Sequence, residues 1–292
     1  MSGALRRGRG RHPALPRRRA DLGRARRVPG RRAVKSPPER SSVGTGPAAR
    51  VPDDVRAAAD QVVVTLARLV RDGEVTCHGV NSIVPALALM LARQGQAPNA
   101  RQISIGGGLD GAPRTLPRSS SGSGWLSGSP VILSNVDVYQ LALRGRVDLM
   151  LLGCVQVDER GRVNSTVIGS FDRPQVRLPG GGGAAVLFQV VRRIVVYRTR
   201  HEPRALPIAV DFVTATGNLE RVVTPLAVFR ATPGGLKLEG LQPGAKLDEV
   251  RARTGFPVDP TDDWAPVPPP TVAERHLLER LDPDRLRDLD FQ

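Results

Sequence analysis

Cysteine is nearly missing from this 292-residue chain: there are two, Cys77 and Cys154. Two thiols in so long a chain exclude a disulfide framework. Both lie in apolar, strand-like stretches, so they read as buried thiols of a reducing compartment. Histidine is sparse as well. His12, His78, His201 and His276 are scattered without the paired spacing of a metal centre, and no metal is expected. Long apolar runs are absent too. No stretch reaches the roughly 18 residues of a membrane-spanning helix, and no apolar segment follows the basic N-terminus as in a secretory signal. A cytoplasmic protein without a membrane partner is the expectation.

Acidic residues are scarce at one end. Residues 1–50 hold fifteen Arg or Lys against Asp21 and Glu39, while the whole chain has a formal net charge of +15. Nearly all the excess therefore lies in this stretch, and residues 51–292 are close to neutral. The stretch lacks the apolar residues of a core, and Pro and Gly interrupt any helix, so it is expected to be a disordered extension. Clustered arginines neutralise phosphates. No aromatic or recognition element accompanies them here, and the neutral body argues against a nucleic-acid binder. The extension reads as dispensable, with the working domain spanning 51–292.

What is present is an alternation of apolar runs and glycine turns. Residues 55–70 carry apolar side chains at helical spacing behind Asp53 and Asp54, whose charges suit a helix start. Residues 74–78 read as a strand, a turn at Gly79 leads into a helix with Ile83, Leu87, Met90 and Leu91 on one face, and residues 102–105 read as a second strand. Strand, helix, strand is a βαβ unit with parallel pairing. Residues 106–129 form a long Gly- and Ser-rich loop, a length associated with function or mobility. Residues 136–143 read as a helix. The runs 147–157, 184–191, 194–197 and 208–213 read as strands. A hairpin is expected around Gly234-Gly235, a short helix over 246–254, and a final helix capped by Thr271 and Glu274. Four glycines, Gly180, Gly181, Gly182 and Gly183, precede the second apolar run. Lacking Cβ atoms, they let backbone approach a ligand and tolerate φ > 0, and their N–H groups suit an anion or oxyanion. On the glycines alone, a flexible turn is the simpler reading.

Taken in order, several segments resemble the beta subunit of family I CoA-transferases, the acetate, 3-oxoacid and glutaconate enzymes. They are GVNSIVP, VDERGRVN, LPGGGGAAVLF, RTRHEPRALPIAVDFVTATG, RVVTPLAVFRAT and the tail LDPDRLRDLDF. The tail is most similar to the beta subunit of the related heteromeric hydrolase that opens the last steroid ring as a CoA thioester. The resemblance implies an α/β fold, an open three-layer αβα sandwich with a mixed, largely parallel sheet. It also implies an acyl-CoA thioester as substrate, no bound cofactor, and an alpha-type partner subunit in a heterodimer or heterotetramer.

Enzymes of this family attack the thioester with a glutamate carboxylate, which holds CoA covalently between two half-reactions. Where the resemblance places that glutamate this chain reads ISIGGGLDG, with Gly106 and Gly107 at the expected position. Asp110, the nearest acid, is several residues on and shorter. The resemblance then implies that the acid comes from the alpha subunit. It leaves open CoA transfer, thioester hydrolysis, and a catalytically silent or regulatory partner role. It assigns Gly180 to Gly183 to the thioester oxygen or CoA. Asn81, on the first βα turn, suits a substrate carbonyl, with a turn or N-cap residue as the simpler reading. The pair His201-Glu202 reads as a surface basic turn rather than a general base. The neighbouring Arg198, Arg200 and Arg204 suit CoA phosphates, and Asp211 reads as a buried acid capping a turn.

Overall fold

The computed structural model describes residues 51–80 and 83–291; the basic stretch 1–50 and Asn81 lie outside them. The chain begins with α1 (Asp53–Arg68), β1 (Val75–His78), α2 (Ile83–Gln94) and β2 (Arg101–Ile103). Asp53 and Asp54 in the first turn of α1 and Arg68 in its last complement the helix dipole. Every residue of α2 from Val84 to Ala92 is buried, as in a helix enclosed by protein on all sides. β1 and β2 pair in parallel, with Cys77 opposite Ile103, so the βαβ unit is present.

There follow β3 (Gly108–Leu109), β4 (Val131–Ile132), α3 (Asn135–Leu143), β5 (Leu149–Gly153), β6 (Gln156–Val157), β7 (Val163–Asn164), β8 (Val167–Gly169), β9 (Pro174–Arg177) and α4 (Ala184–Val190). The chain ends with β10 (Arg193–Tyr197), β11 (Leu219–Val223), β12 (Ala227–Thr232), β13 (Gly235–Leu241), α5 (Leu247–Ala252) and α6 (Val272–Leu281). Nine strands form one sheet in the order β13-β12-β11-β10-β5-β1-β2-β3-β4. Its centre, from β11 to β2, is parallel, and the outer strands are antiparallel. Side chains of the central strands alternate between two cores. Leu149, Leu151, Val195 and Tyr197 share one with α1, α2 and α6. Cys77, Met150, Ile194 and Val196 share the other with α3 and α4. Helices on both faces of a mixed, largely parallel sheet make the α/β sandwich expected from the sequence.

The C-terminus is strapped to the first of these cores. The capping box of Thr271 and Glu274 starts α6, and both oxygens of Glu274 accept from Arg68, at 2.8 and 2.7 Å. A 3-10 turn, Leu286–Phe291, packs on α1 and α2. Buried Arg287 holds it, donating to Asp60 at 2.6 Å, Glu279 at 2.7 Å and Asp282 at 2.9 Å.

Three expectations differ. Residues 184–191 contain the helix α4, not a strand: Leu187, Phe188 and Val191 are buried along one side while Val186 faces out. An apolar run of eight residues does not distinguish the two periods. Residues 208–213 form no strand. Ile208 is 62% exposed, and the Val210 N–H goes to the Asp158 carboxylate rather than to a ladder. The loop 106–129 contains β3 and a 3-10 turn, Ser123–Leu126, anchored by Trp125. That indole is 1% exposed, donates to the Ser119 carbonyl at 2.9 Å and packs on His78 with ring centroids 5.3 Å apart.

Candidate functional site

From β1 the sheet continues to β2 on one side and to β5 and β10 on the other. Open α/β sheets bind ligands at such a switch point, in the crevice beyond the carboxyl ends of the strands. A cavity of about 690 Å³ lies there. Strand ends wall it: Gly79 and Val80 after β1, Gly153 and Cys154 at β5, and Tyr197, Arg198 and Thr199 at β10. The glycine loop, Asn135 and Tyr139 of α3, and Asp290 of the C-terminal turn complete the wall.

The glycine loop is a built feature. Gly180 and Gly182 have φ of +93° and +50°, backbone that favours glycine. A Cβ on Gly181 would run into Thr214, and one on Gly183 into the Tyr139 hydroxyl. Gly180 N–H donates to the Ser165 carbonyl at 2.7 Å, and the Gly181 carbonyl accepts from Ala184 N–H at 2.8 Å. The N–H groups of Gly181, Gly182 and Gly183 have no acceptor among the described residues. Behind the loop, Thr214 Oγ1 accepts from Ser165 N–H at 2.9 Å and lies 2.7 Å from Thr166 Oγ1. The VDERGRVN turn supports this frame. Buried Asp158 accepts from the N–H groups of Arg160 and Arg162, both at 3.0 Å. Asn164 donates to Gln156 and to the Val167 carbonyl at 2.7 and 2.6 Å.

Other expected residues lie elsewhere. Ile105 reaches the cavity wall, but Gly106 and Gly107 do not. A Cβ on Gly107 (φ +96°) would meet the Leu133 carbonyl oxygen at 2.5 Å, and one on Gly106 would meet the Ser121 and Gly122 backbone at 3.2 Å. Asp110 accepts from Gln102 N–H at 2.8 Å and pairs with Arg101 and Arg93, away from the cavity. His201 is not on a surface turn. It is buried between the hydroxyls of Thr224 at 2.8 Å and Thr254 at 3.0 Å, and burial lowers its pKa to about 4. Asp211 is exposed rather than buried, and accepts from Gly169 N–H at 2.9 Å. Of the three arginines near His201, Arg198 alone lines the cavity.

The cavity also holds groups not singled out from the sequence. Tyr197 donates to Asp290 at 3.2 Å. Burial raises the pKa of Asp290, and burial followed by the Asp290 charge raises that of Tyr197. Burial also raises Cys154 to about 11, against the opposing pull of Arg198, so its thiol stays protonated and poorly nucleophilic. Arg198 Nη1 donates to the Cys154 carbonyl at 2.7 Å, while its buried Nε has no acceptor. An unpartnered buried donor costs about 1–3 kcal/mol. Among the described residues that line the cavity, Asp290 is the one carboxylate and Arg198 the one cation. The position of Arg198 just past a strand end was readable; that of Asp290, 93 residues from its Tyr197 partner, was not.

A cavity at a switch point, walled by strand ends and a glycine loop, is where α/β proteins commonly bind small molecules. The chain belongs to the coenzyme A transferase family, whose profile matches residues 59–253. It is similar to the B subunits of two such enzymes. That of 3-oxoadipate CoA-transferase from Pseudomonas knackmussii is 25% identical over 76% of this chain and 92% of that protein. That of glutaconate CoA-transferase from Acidaminococcus fermentans is 24% identical over 75% of this chain and 90% of that protein. Among solved structures, the decarboxylase AibA/AibB superposes with a TM-score of 0.76 at 33% identity, over 80% of this chain and 97% of that chain.

Proposed function

We propose that this chain is the beta-type subunit of a cytoplasmic heteromeric enzyme acting on acyl-CoA thioesters, with residues 51–292 as its working domain. The observation that carries this reading is the cavity at the ends of β1, β5 and β10, with three uncommitted glycine N–H donors in its wall. The relatives named above are B subunits matched over about nine-tenths of their length, which supports an alpha-type partner. The carboxylate that attacks the thioester comes from that partner, because Gly106 and Gly107 stand at the family's glutamate position and carry none, and a Cβ on Gly107 would meet the Leu133 carbonyl oxygen at 2.5 Å. Attack on the thioester carbon drives an electron pair onto its oxygen. The N–H groups of Gly181 and Gly182 stabilise that charge, and losing one such donor costs on the order of 3 kcal/mol, or about a hundredfold in rate.

Gly182→Val tests this. A Cβ there meets no atom within 4 Å, but φ +50° disfavours a β-branched residue. Gly182→Asn, which tolerates this backbone, is the control for strain. With the partner subunit, Gly182→Val should assemble, lose about 1–3 kcal/mol of stability to the strained backbone, and, as the shifted loop takes its N–H donors off the thioester oxygen, lose about a hundredfold in turnover. Unchanged turnover in a stable complex would remove the loop from the active site.

A second reading, decarboxylation, is favoured by one observation: the 33% identity to AibA/AibB. Assaying one preparation for CoA transfer, free CoA and carbon dioxide separates transferase, hydrolase and decarboxylase. A complex inert in all three assays would leave the chain as a silent partner.

A further inference from the structure

We infer that Tyr139 is a catalytic residue whose hydroxyl donates, beside the glycine loop, to the thioester oxygen as negative charge builds there. This rests on the acyl-CoA reading above and adds a side-chain donor to that site.

Helix α3 carries this hydroxyl to the loop. Ser134 Oγ accepts from Asp137 N–H at 3.2 Å, and the Asp137 carboxylate accepts from Ser134 N–H at 2.8 Å, which fixes the helix start. Val138 and Ala142 bury one side of the helix in the core. Asn135 and Tyr139, one turn apart and so on one face, reach the cavity wall. The half-buried Tyr139 ring packs against the same core as Ala184 at the start of α4. Its position is therefore set before any ligand arrives. A Cβ on Gly183 would run into the Tyr139 hydroxyl and would lie 2.6 Å from Cζ. Gly183 has φ −84°, which any residue adopts. The approach of Tyr139, and not the backbone, thus accounts for the fourth glycine of the run.

Nothing in the fold uses this hydroxyl. It makes no hydrogen bond with a described residue, whereas the Tyr197 hydroxyl is spent on Asp290 at 3.2 Å and that of Thr214 meets Thr166 at 2.7 Å. A phenylalanine would pack the same ring without bringing a polar atom to a wall that includes Met150, Leu187 and Phe188. The N–H groups of Gly181, Gly182 and Gly183 are uncommitted as well. A side-chain O–H and backbone N–H groups, all without acceptors, share one corner of the cavity, and a carbonyl oxygen acquiring charge is the acceptor that such a group fits. Attack by the partner's carboxylate forms a bond to the thioester carbon and moves the C=O electron pair onto oxygen. The hydroxyl keeps its proton and holds that oxygen together with the N–H groups. When the pair returns, the C–S bond breaks, CoA leaves as the thiolate, and the acyl group stays on the carboxylate as an anhydride.

The test is turnover by the complex of this chain with its partner subunit, using acetyl-CoA, succinyl-CoA and glutaryl-CoA as probes. Tyr139→Phe removes one oxygen that has no partner in the fold, so the variant should melt with the wild type. Its kcat should fall by about tenfold to a hundredfold, with KM changed by less than about twofold, the mark of a contact made only in the transition state. Gly183→Ala, whose Cβ displaces the hydroxyl while the backbone keeps an ordinary φ, should lose a similar factor, and it decides the matter if melting shows the Phe variant unfolded. Once Gly183→Ala is present, adding Tyr139→Phe should cost little more, since both changes take the same hydroxyl from the same oxygen. Unchanged kcat in a folded Tyr139→Phe or Gly183→Ala complex, or a rise in KM alone, would overturn the donor role and leave the acyl-CoA reading standing. Fully multiplicative losses in the double variant would overturn it too, because the two changes would then act separately. No turnover of any thioester by the wild-type complex would overturn both.

Discussion

The two faces of the sheet are covered by helices of similar apolar character, yet they finish differently. On one face α2 has nine consecutive buried residues, Val84 to Ala92, and the C-terminal turn is strapped over it by Arg287. On the other face α3 and α4 bury two residues each, Val138 and Ala142, Leu187 and Phe188. Val136 and Val186 on these helices remain 65% and 45% exposed. The first face is the more enclosed at its helix α2. The second lines much of the cavity and leaves Val136 and Val186 in water, as the first leaves Val272 and Leu289. On the proposed reading, the alpha-type subunit covers the second face. The two faces meet at the cavity, whose wall takes Tyr197 and Asp290 from the first and Tyr139 and the glycine loop from the second.

The largest expected effect breaks the closed face. Arg287→Met strips Asp282 of its cation, while Arg285 still reaches Asp60 at 3.1 Å and Glu279 at 2.9 Å. Removing one partner of a buried ion pair costs about 3–5 kcal/mol, to be read as a shift of the urea midpoint. A loss under about 1 kcal/mol would make the strap incidental and the contrast between the faces weaker.

Acid should probe both cores at once. His78 packs on Trp125 in the closed-face core and His201 on Phe229 in the other. Burial lowers each pKa to about 4, against about 6.5 in the unfolded chain. Between these values the unfolded chain binds protons that the native chain does not. Stability is therefore full above about pH 6.5 and falls as pH drops towards about 4, by on the order of 3 kcal/mol per histidine. Urea midpoints measured between pH 7 and 4.5 should show this slope, and His201→Gln should reduce it by about half. An unchanged slope in that variant would place the proton uptake elsewhere.

The smallest effect sharpens the comparison on the open face. Val136→Ser with Val186→Ser should shift the stability of the isolated chain by no more than about 0.5 kcal/mol per site. The same double variant should weaken association with an alpha-type subunit in co-purification. Loss of stability without loss of association would mean that these valines belong to the core.

Much of the fold was legible. The helical spacing of residues 55–70, the βαβ unit and the Thr271–Glu274 cap all have local causes, and each is present. The error at α4 has a local cause too: Gly183 precedes an apolar run too short to display its period. The glycine loop was visible because four residues without Cβ need no context to be noticed. Tyr197 and Asp290 were not, since nothing near either residue announces the other.

The order of apolar runs and turns by itself determined the parallel strand pairing and the glycine loop, because backbone propensity and side-chain periodicity act over a few residues, and the family was legible through the resemblance of segments such as LPGGGGAAVLF. Only the tertiary structure decided that Arg198 lines a cavity with its buried Nε unpartnered, that His201 is buried between Thr224 and Thr254, and that the tail brings Asp290 to Tyr197. Those outcomes depend on which distant segments pack together, and burial and hydrogen-bond partners acquire values only once they have packed.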